Sequence, residues 1–436
     1  MDSNTTQFYI GYIALIKQLF ESEAFKERHR TSEKAFTRQR TLTFPIVVLF
    51  LLNLVKRGLQ DELDEFFKAH NGDKVPTRVV TKSAFCQARC KLDYRAFVEL
   101  NQAQGDYFYQ MGELLYWYGL RLLAIDASMA DLPQNEAIND HFGVWHPYSG
   151  GICAKARLSQ LYDVLNKITV DALIAPKAQD ERSLAASHLT HVQENDLLLM
   201  DRGYPAFWLF VAILQREAYF CARLSVSEWQ VAKKFVASGE KEQSVLLRPG
   251  YEARKKCSER SLPIDPIRVR LIRVELPTGE IEVLATTLMD RTRFPAALFQ
   301  DLYHHRWPVE EDYTVMKSRL EIENWFGKSV QAVYQEFHAT IFSKNMSAIL
   351  AHPAQRVVTQ QSQQKKYVYQ VNMTNLISKL KDTIVFLFCD SDIYPLLRAL
   401  WEQMVQTTEP IRPGRSYPRK KSVKRKRFPM SYKAVR

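Results

Sequence analysis

Two apolar runs that each end in an aspartate constrain this 436-residue chain more than any other feature. LRLLAIDAS runs into Asp126, and LLLMDRGYP runs into Asp201. A carboxylate placed directly after a buried strand is costly unless it is paired or metal-bound. Ligands gather at the carboxyl ends of strands in open α/β sheets. Around these runs, ARLSQLYDVLNK and ITVDALIA read as a hairpin, Ala156 to Lys167 and Ile168 to Ala175. PAFWLFVAILQRE reads as a helix and AYFCARLS as a further strand. The resulting order predicts an α/β fold, a mixed sheet flanked by helices.

A third segment, DLYHHRWPVEEDYTVMKSRL, carries Tyr303, Arg306, Glu310 and Lys317. At about 100° per residue of helix, the four project within roughly 60° of one another. One face then holds a phenol, a guanidinium, a carboxylate and an ammonium, a set suited to phosphate oxygens and a metal ion. Charges at this spacing also describe an ordinary solvated face, so alone the segment leaves both readings open. Pro308 predicts a break or kink, with Tyr303 and Arg306 in a preceding turn. His304 and His305 lack ligand spacing, which argues against zinc.

The formal charge is +12, and eleven Lys or Arg with no acidic residue fall between Arg412 and Arg436. The remaining 411 residues therefore carry only +1. A polybasic arm containing Arg419, Lys420 and Lys421 is expected to be disordered when free and to favour a phosphate backbone by counterion release. A solubilising tail is the plain alternative. No apolar run is long enough to span a bilayer; FPIVVLFLLNLV is followed at once by Lys56 and Arg57 and reads as a buried helix. The N-terminus has no signal-peptide pattern, and six scattered cysteines form no Cys-x-x-Cys pair. Cys86 and Cys90 read as reduced packing residues. Together these features predict a cytoplasmic setting without a membrane partner.

Residues 1 to 118 read as helical. In TKSAFCQARCKL, Ser83 is the expected cap, and Phe85, Ala88, Leu92 and Phe97 form an apolar stripe. Lys82, Arg89 and Lys91 are candidate phosphate contacts of a DNA-binding module. Residues 226 to 288 read as a mostly β insertion with a turn at Pro277-Thr278-Gly279-Glu280. Asp163 and Asp171 read as fold or solvent residues, and Asp180 with Glu181 as a helix cap.

Asp126, Asp201 and Glu310 together suit two Mg²⁺ ions, which take hard oxygen ligands and can activate a water while stabilising a leaving 3′-oxygen. With LLLMDRGYP, LYHHRWPVEEDYTVMK, VYQEFHATIFSKNMSAIL and KSAFCQARCKL in place, the chain resembles the insertion-sequence-four family of DDE transposases from about residue 30 to 355. The resemblance implies a ribonuclease-H-like catalytic core. It implies catalytic, metal-holding Asp126, Asp201 and Glu310, DNA-holding Tyr303, Arg306 and Lys317, and Mg²⁺ with Mn²⁺ as a substitute. It further implies cut-and-paste transposition by a homodimer on transposon ends and target DNA, in a bacterial cytoplasm at the nucleoid. The expected division is a helical DNA-binding domain (1–118), a core (119–225), the insertion (226–288), a glutamate helix (289–330), a helical region (331–411) and the basic tail (412–436). Trp229 and Tyr251 are candidates to hold a flipped base, with buried packing the default for each. A non-catalytic DNA-binding derivative and a stand-alone nuclease remain open alternatives.

Overall fold

In the computed structural model, residues 1–146, 151–276 and 278–412 are described. Six helices come first: α1 (Ser3–Glu21), α2 (Glu23–His29), α3 (Phe44–Leu52), α4 (Leu59–Asn71), α5 (Lys82–Arg89) and α6 (Arg95–Met111). The middle of the chain alternates: β1 (Arg121–Asp131), α7 (Glu136–Phe142), β2 (Val144–Trp145), β3 (Cys153–Asp163), β4 (Ile168–Pro176), α8 (Glu181–His188), β5 (Asp196–Met200), α9 (Phe207–Leu214), β6 (Tyr219–Leu224), α10 (Gln230–Ser238), β7 (Glu242–Leu247), α11 (Tyr251–Ser258), β8 (Ile267–Glu275) and β9 (Ile281–Thr286). Then come α12 (Phe299–His304), α13 (Trp307–Ser318), α14 (Val330–Ser362), β10 (Tyr369–Val371), α15 (Met373–Cys389), α16 (Tyr394–Gln406) and β11 (Thr408–Pro410).

The central strands are apolar at successive positions because both faces of the sheet are covered. Leu123 and Ile125 of β1, with Leu198 and Met200 of β5, pack on one face among Phe207, Trp208 and Phe210 of α9. Leu122, Ala124, Leu197 and Leu199 pack on the other, among Phe299, Leu302 and Tyr303 of α12. β1 pairs with β5 and β5 with β6 in parallel, whereas β3 pairs with β4 in antiparallel fashion. Strand order along the sheet is β2-β3-β1-β5-β6-β9-β8-β7, with β4 on β3. This is the expected mixed sheet flanked by helices.

The expected insertion differs from a mostly β module. It contains α10 and α11 besides its three strands, and β9 pairs with β6. Its strands therefore lengthen the core sheet. The β8–β9 hairpin closes with the Leu276 N–H on the Glu280 carbonyl at 2.9 Å. Gly279 has φ +82 there, a conformation that favours glycine.

The chain divides into a helical unit (Met1–Glu113, Ala130–Lys155, Met316–Arg436) and a sheet unit (Leu114–Met129, Ala156–Val315). In the helical unit α14 is buried along most of its length. The Tyr9 hydroxyl donates to the Leu350 carbonyl, and the Gln104 amide to the Phe342 carbonyl. The apolar FPIVVLFLL run is the buried α3, as expected. α5 starts earlier than the Ser83 expectation: Thr81 is the cap, accepting from the Ala84 N–H. Among the described residues no helix is long and apolar enough to cross a membrane.

Candidate active site

The register of β1 against β5 builds the site. Their last parallel pair is Ile125 with Met200, so the next residues on the two strands are Asp126 and Asp201. Side chains alternate along a strand. Asp126 therefore follows Leu122 and Ala124, and Asp201 follows Leu197 and Leu199, onto the face that α12 covers. Against expectation, Asp126 does not end its strand. β1 continues to Asp131, while β5 stops at Met200. The hydroxyl of Tyr313 on α13 donates to the Asp126 carbonyl at 2.9 Å and ties the two elements.

Burial raises the Asp126 carboxyl to about 7, and the negative charges of Glu310 and Asp201 push it the same way. The Ala127 N–H and the Arg306 guanidinium oppose that rise. Asp126 thus feels both of the other carboxylates electrostatically. Among the described residues, however, no three His, Cys, Asp or Glu stand close enough to grip one ion together.

Tyr303 lies in the last turn of α12, His305 caps that helix, and α13 begins at Trp307. The break expected at Pro308 is real, and its reason is favourable. Pro308 occupies the second position of α13, where a missing N–H costs nothing. Arg306 lies in the junction, nearly buried, and its Nη2 donates to Glu310 Oε1 at 2.8 Å. Its guanidinium stands 5.6 Å from the Tyr303 ring centre and 5.7 Å from that of Trp307. The Arg306 Nε and Nη1 and the Tyr303 hydroxyl are buried without a hydrogen-bond partner. Buried donors left unpaired are costly, and here they cluster beside Glu310. Lys317 falls in the last turn of α13 and belongs to the helical unit.

Two tyrosines beside the carboxylates were not foreseen as site residues. Tyr204 follows Asp201 in a turn closed by its N–H on the Asp201 carbonyl at 3.1 Å. Its hydroxyl is buried without a partner, and burial, with Asp126 next, holds it well above the usual phenol range. Tyr313 is the other. The aromatic in DRGYP was visible as a turn residue; nothing in its spacing marked its direction.

Several expectations fall differently. Arg89 is no phosphate contact. The residue is 4% exposed, and its guanidinium is held by Glu336 at 3.0 Å, Gln335 and the Ala332 carbonyl. Lys82 and Lys91 are exposed. Cys86 and Cys90 are exposed thiols, not packing residues. Trp229 packs against Phe210 with ring centres 5.9 Å apart, but Tyr251 is 81% exposed, against the packing default. Asp180 caps α8 as expected. Asp163 is buried and accepts from Asn166, while Asp171 pairs with His188. Arg419, Lys420 and Lys421 lie outside the described residues.

The family described as "Transposase DDE domain" matches residues 117–346, more than half the chain. The chain belongs to this transposase DDE family. Its matched stretch contains Asp126, Asp201, Glu310 and the residues around them. The chain is also similar to "Transposase InsG for insertion sequence element IS4" of Escherichia coli (strain K12), 25% identical over 275 residues. That match covers 61% of this chain and 60% of the relative's length. Among solved structures, the cryo-EM structure of the piggyBac transposase synaptic complex with hairpin DNA aligns over 93% of this chain and 87% of its own, at 11% identity and a TM-score of 0.46.

Proposed function

We propose that this DDE-family chain is a DNA transposase that cleaves the ends of an insertion sequence and joins them to target DNA by two-metal-ion phosphoryl transfer. The observation that carries this reading is the β1–β5 register, whose last pair is Ile125 with Met200, so that Asp126 on β1 and Asp201 just past β5 come next to each other, with α13, the helix of Glu310, tied to Asp126 through Tyr313.

The donor set suits a divalent cation. Burial raises Asp126 most, and the charges of Glu310 and Asp201 add to it; a bound cation would offset both. Drawn closer together than they stand here, Asp126, Asp201 and Glu310 would hold Mg²⁺, with Mn²⁺ as a substitute. When bound, such ions supply a nucleophilic water and charge stabilisation at the leaving 3′-oxygen. The chain's own groups do the rest. Arg306 orients Glu310 through its Nη2 and supplies fixed positive charge to flanking phosphates. The Tyr303 phenol, held protonated by burial, donates to a phosphate, and Lys317 adds fixed charge. Lys82, Lys91 and the tail cations Arg419, Lys420 and Lys421 extend the DNA contact. Tyr251, exposed in the inserted segment, is a better candidate than Trp229 for stacking a flipped base. A homodimer that brings two ends together, working on the nucleoid in the cytoplasm, completes the reading.

The test first searches the DNA on both sides of the gene for inverted repeats and uses a duplex carrying one of them. Glu310→Gln should lower Mg²⁺-dependent cleavage by about a thousandfold while leaving duplex binding intact. Undiminished cleavage would remove Glu310 from the site. Cleavage without joined products in the unaltered protein would identify a nuclease, and binding with neither would identify a non-catalytic derivative.

A further inference from the structure

α13 carries Glu310 but takes no direction from α12, because the chain breaks between them at Arg306. Its placement over the sheet must come from its own contacts. Two of these start from consecutive residues and reach neighbouring strands. The Tyr313 hydroxyl donates to the Asp126 carbonyl on β1 at 2.9 Å. The Asp312 carboxylate accepts from Gln160 Nε2 on β3 at 3.0 Å, and β3 lies beside β1 in the sheet. One such bond lets a helix roll about it. A second, on another strand, fixes the roll and with it Glu310, two residues before Asp312.

Gln160 is itself oriented. Its Oε1 accepts from the Thr169 hydroxyl on β4 at 3.2 Å, which leaves its N–H groups for Asp312. An ionised carboxylate only accepts, so the relay runs one way, from Thr169 through Gln160 to Asp312. A β-bulge builds it. β3 and β4 pair Leu161 with Asp171 and then Tyr162 with Thr169, skipping Val170. In an unbroken register Val170 would face Tyr162, and Thr169 would turn to the opposite side of the sheet. Val170 packs instead among the residues on the α9 side. All three polar side chains of the relay are buried. A buried carboxylate is costly, and apolar packing would hold the helix down at less cost. What a charge-assisted bond adds is strength along one direction.

We propose that Asp312 is a positioning residue for end cleavage: held through Gln160 to Thr169, it fixes the roll of α13 and so the place of Glu310 relative to Asp126 and Asp201. Asp312 acts on the reaction only through the helix. The proposal rests on the reading of Glu310 as a metal-holding residue.

Gln160→Glu sets two carboxylates against each other. Combined with Asp312→Asn, it rebuilds the bond with donor and acceptor exchanged. Nitroxides on keto-bearing unnatural side chains at exposed Glu311 and exposed Glu194 report the position of α13 by pulsed electron resonance. Mn²⁺ titration of unlabelled full-length protein reports the site. Gln160→Glu should shift or broaden the nitroxide distance and weaken Mn²⁺ binding about tenfold, with duplex affinity unchanged. The double variant should restore both. Thr169→Val removes one hydroxyl at nearly constant volume; it should broaden the distance in a folded chain, and it decides the matter where Gln160→Glu fails to fold. An unmoved distance in Thr169→Val overturns the proposal. So does a double variant that regains its melting temperature but not its Mn²⁺ affinity. Glu310→Gln separates the two readings: if it leaves Mn²⁺ affinity unchanged, the metal reading has failed, and the distance alone judges the anchor.

Discussion

Asp126 holds its proton to about pH 7 in the folded chain, whereas an unfolded aspartate releases it near 3.8. The sign follows from linkage. The native state binds this proton more tightly, so the contribution is complete below pH 3.8 and is lost as pH rises through 7. Above that, a buried carboxylate stands charged beside Asp201 and Glu310. Asp126→Asn removes that charge. In EDTA at pH 8 the variant should be more stable by about 2 kcal/mol, or roughly 4 °C in the unfolding of the sheet unit. The gain should shrink toward pH 5, and scanning calorimetry at both values checks it. The aspartates were legible because an acidic residue after a strongly apolar run has few inexpensive explanations. Arg89 was misread for the opposite reason. Its partner Glu336 is 247 residues away, and no local pattern in KSAFCQAR distinguishes a buried guanidinium from a solvated one.

Elements were legible where periodicity was strong and blurred where one side chain decides. The break between α12 and α13 is an example. His305 and Arg306 close α12 with N–H bonds back to Leu302 and Tyr303, and Pro308 opens α13 without needing a donor. Pro308→Ala restores helical freedom across the junction. It should change stability by less than about 1 kcal/mol yet slow end cleavage severalfold, because Arg306 and Glu310 are set by the break. Cleavage kinetics beside a melting curve separate the two effects. Arg270 on β8 illustrates what pattern reading cannot reach. It is fully buried, bonded to Glu242 on β7, and donates to the Phe294 carbonyl at 2.6 Å just before α12. In IRVRLIRVE, arginines alternating with apolar residues do not distinguish a buried guanidinium from a solvent-facing one. Arg270→Leu leaves those acceptors unpaired and should cost about 3 kcal/mol, readable as earlier urea unfolding and faster proteolysis between residues 226 and 298.

At the scale of the whole molecule, charge is divided rather than spread. The last 25 residues carry eleven cations, while the remainder is close to neutral. Removing residues 412–436 should make the dependence of DNA affinity on salt shallower, by about 0.9 for each phosphate that the arm neutralises. If half of those cations touch phosphates, the slope falls by about 5. Filter binding across a salt series measures it, and an unchanged slope would make the arm a bystander. The mixed sheet was foreseeable from strand order. That the inserted strands would join the same sheet was not, because the β6–β9 pairing spans some sixty residues and leaves no local trace.

The unequal lengths of β1 and β5 bear on how the site assembles. Asp126 is clamped within an unbroken strand, with Tyr313 gripping its carbonyl. Asp201 is the first residue beyond a strand, and Glu310 sits one turn past a helix break. The first carboxylate is therefore an anvil, and any tightening around a phosphate must come from the pieces that face it. A spin label near Glu310 should report the closing stroke on DNA, while one on β1 beside Asp126 stays still.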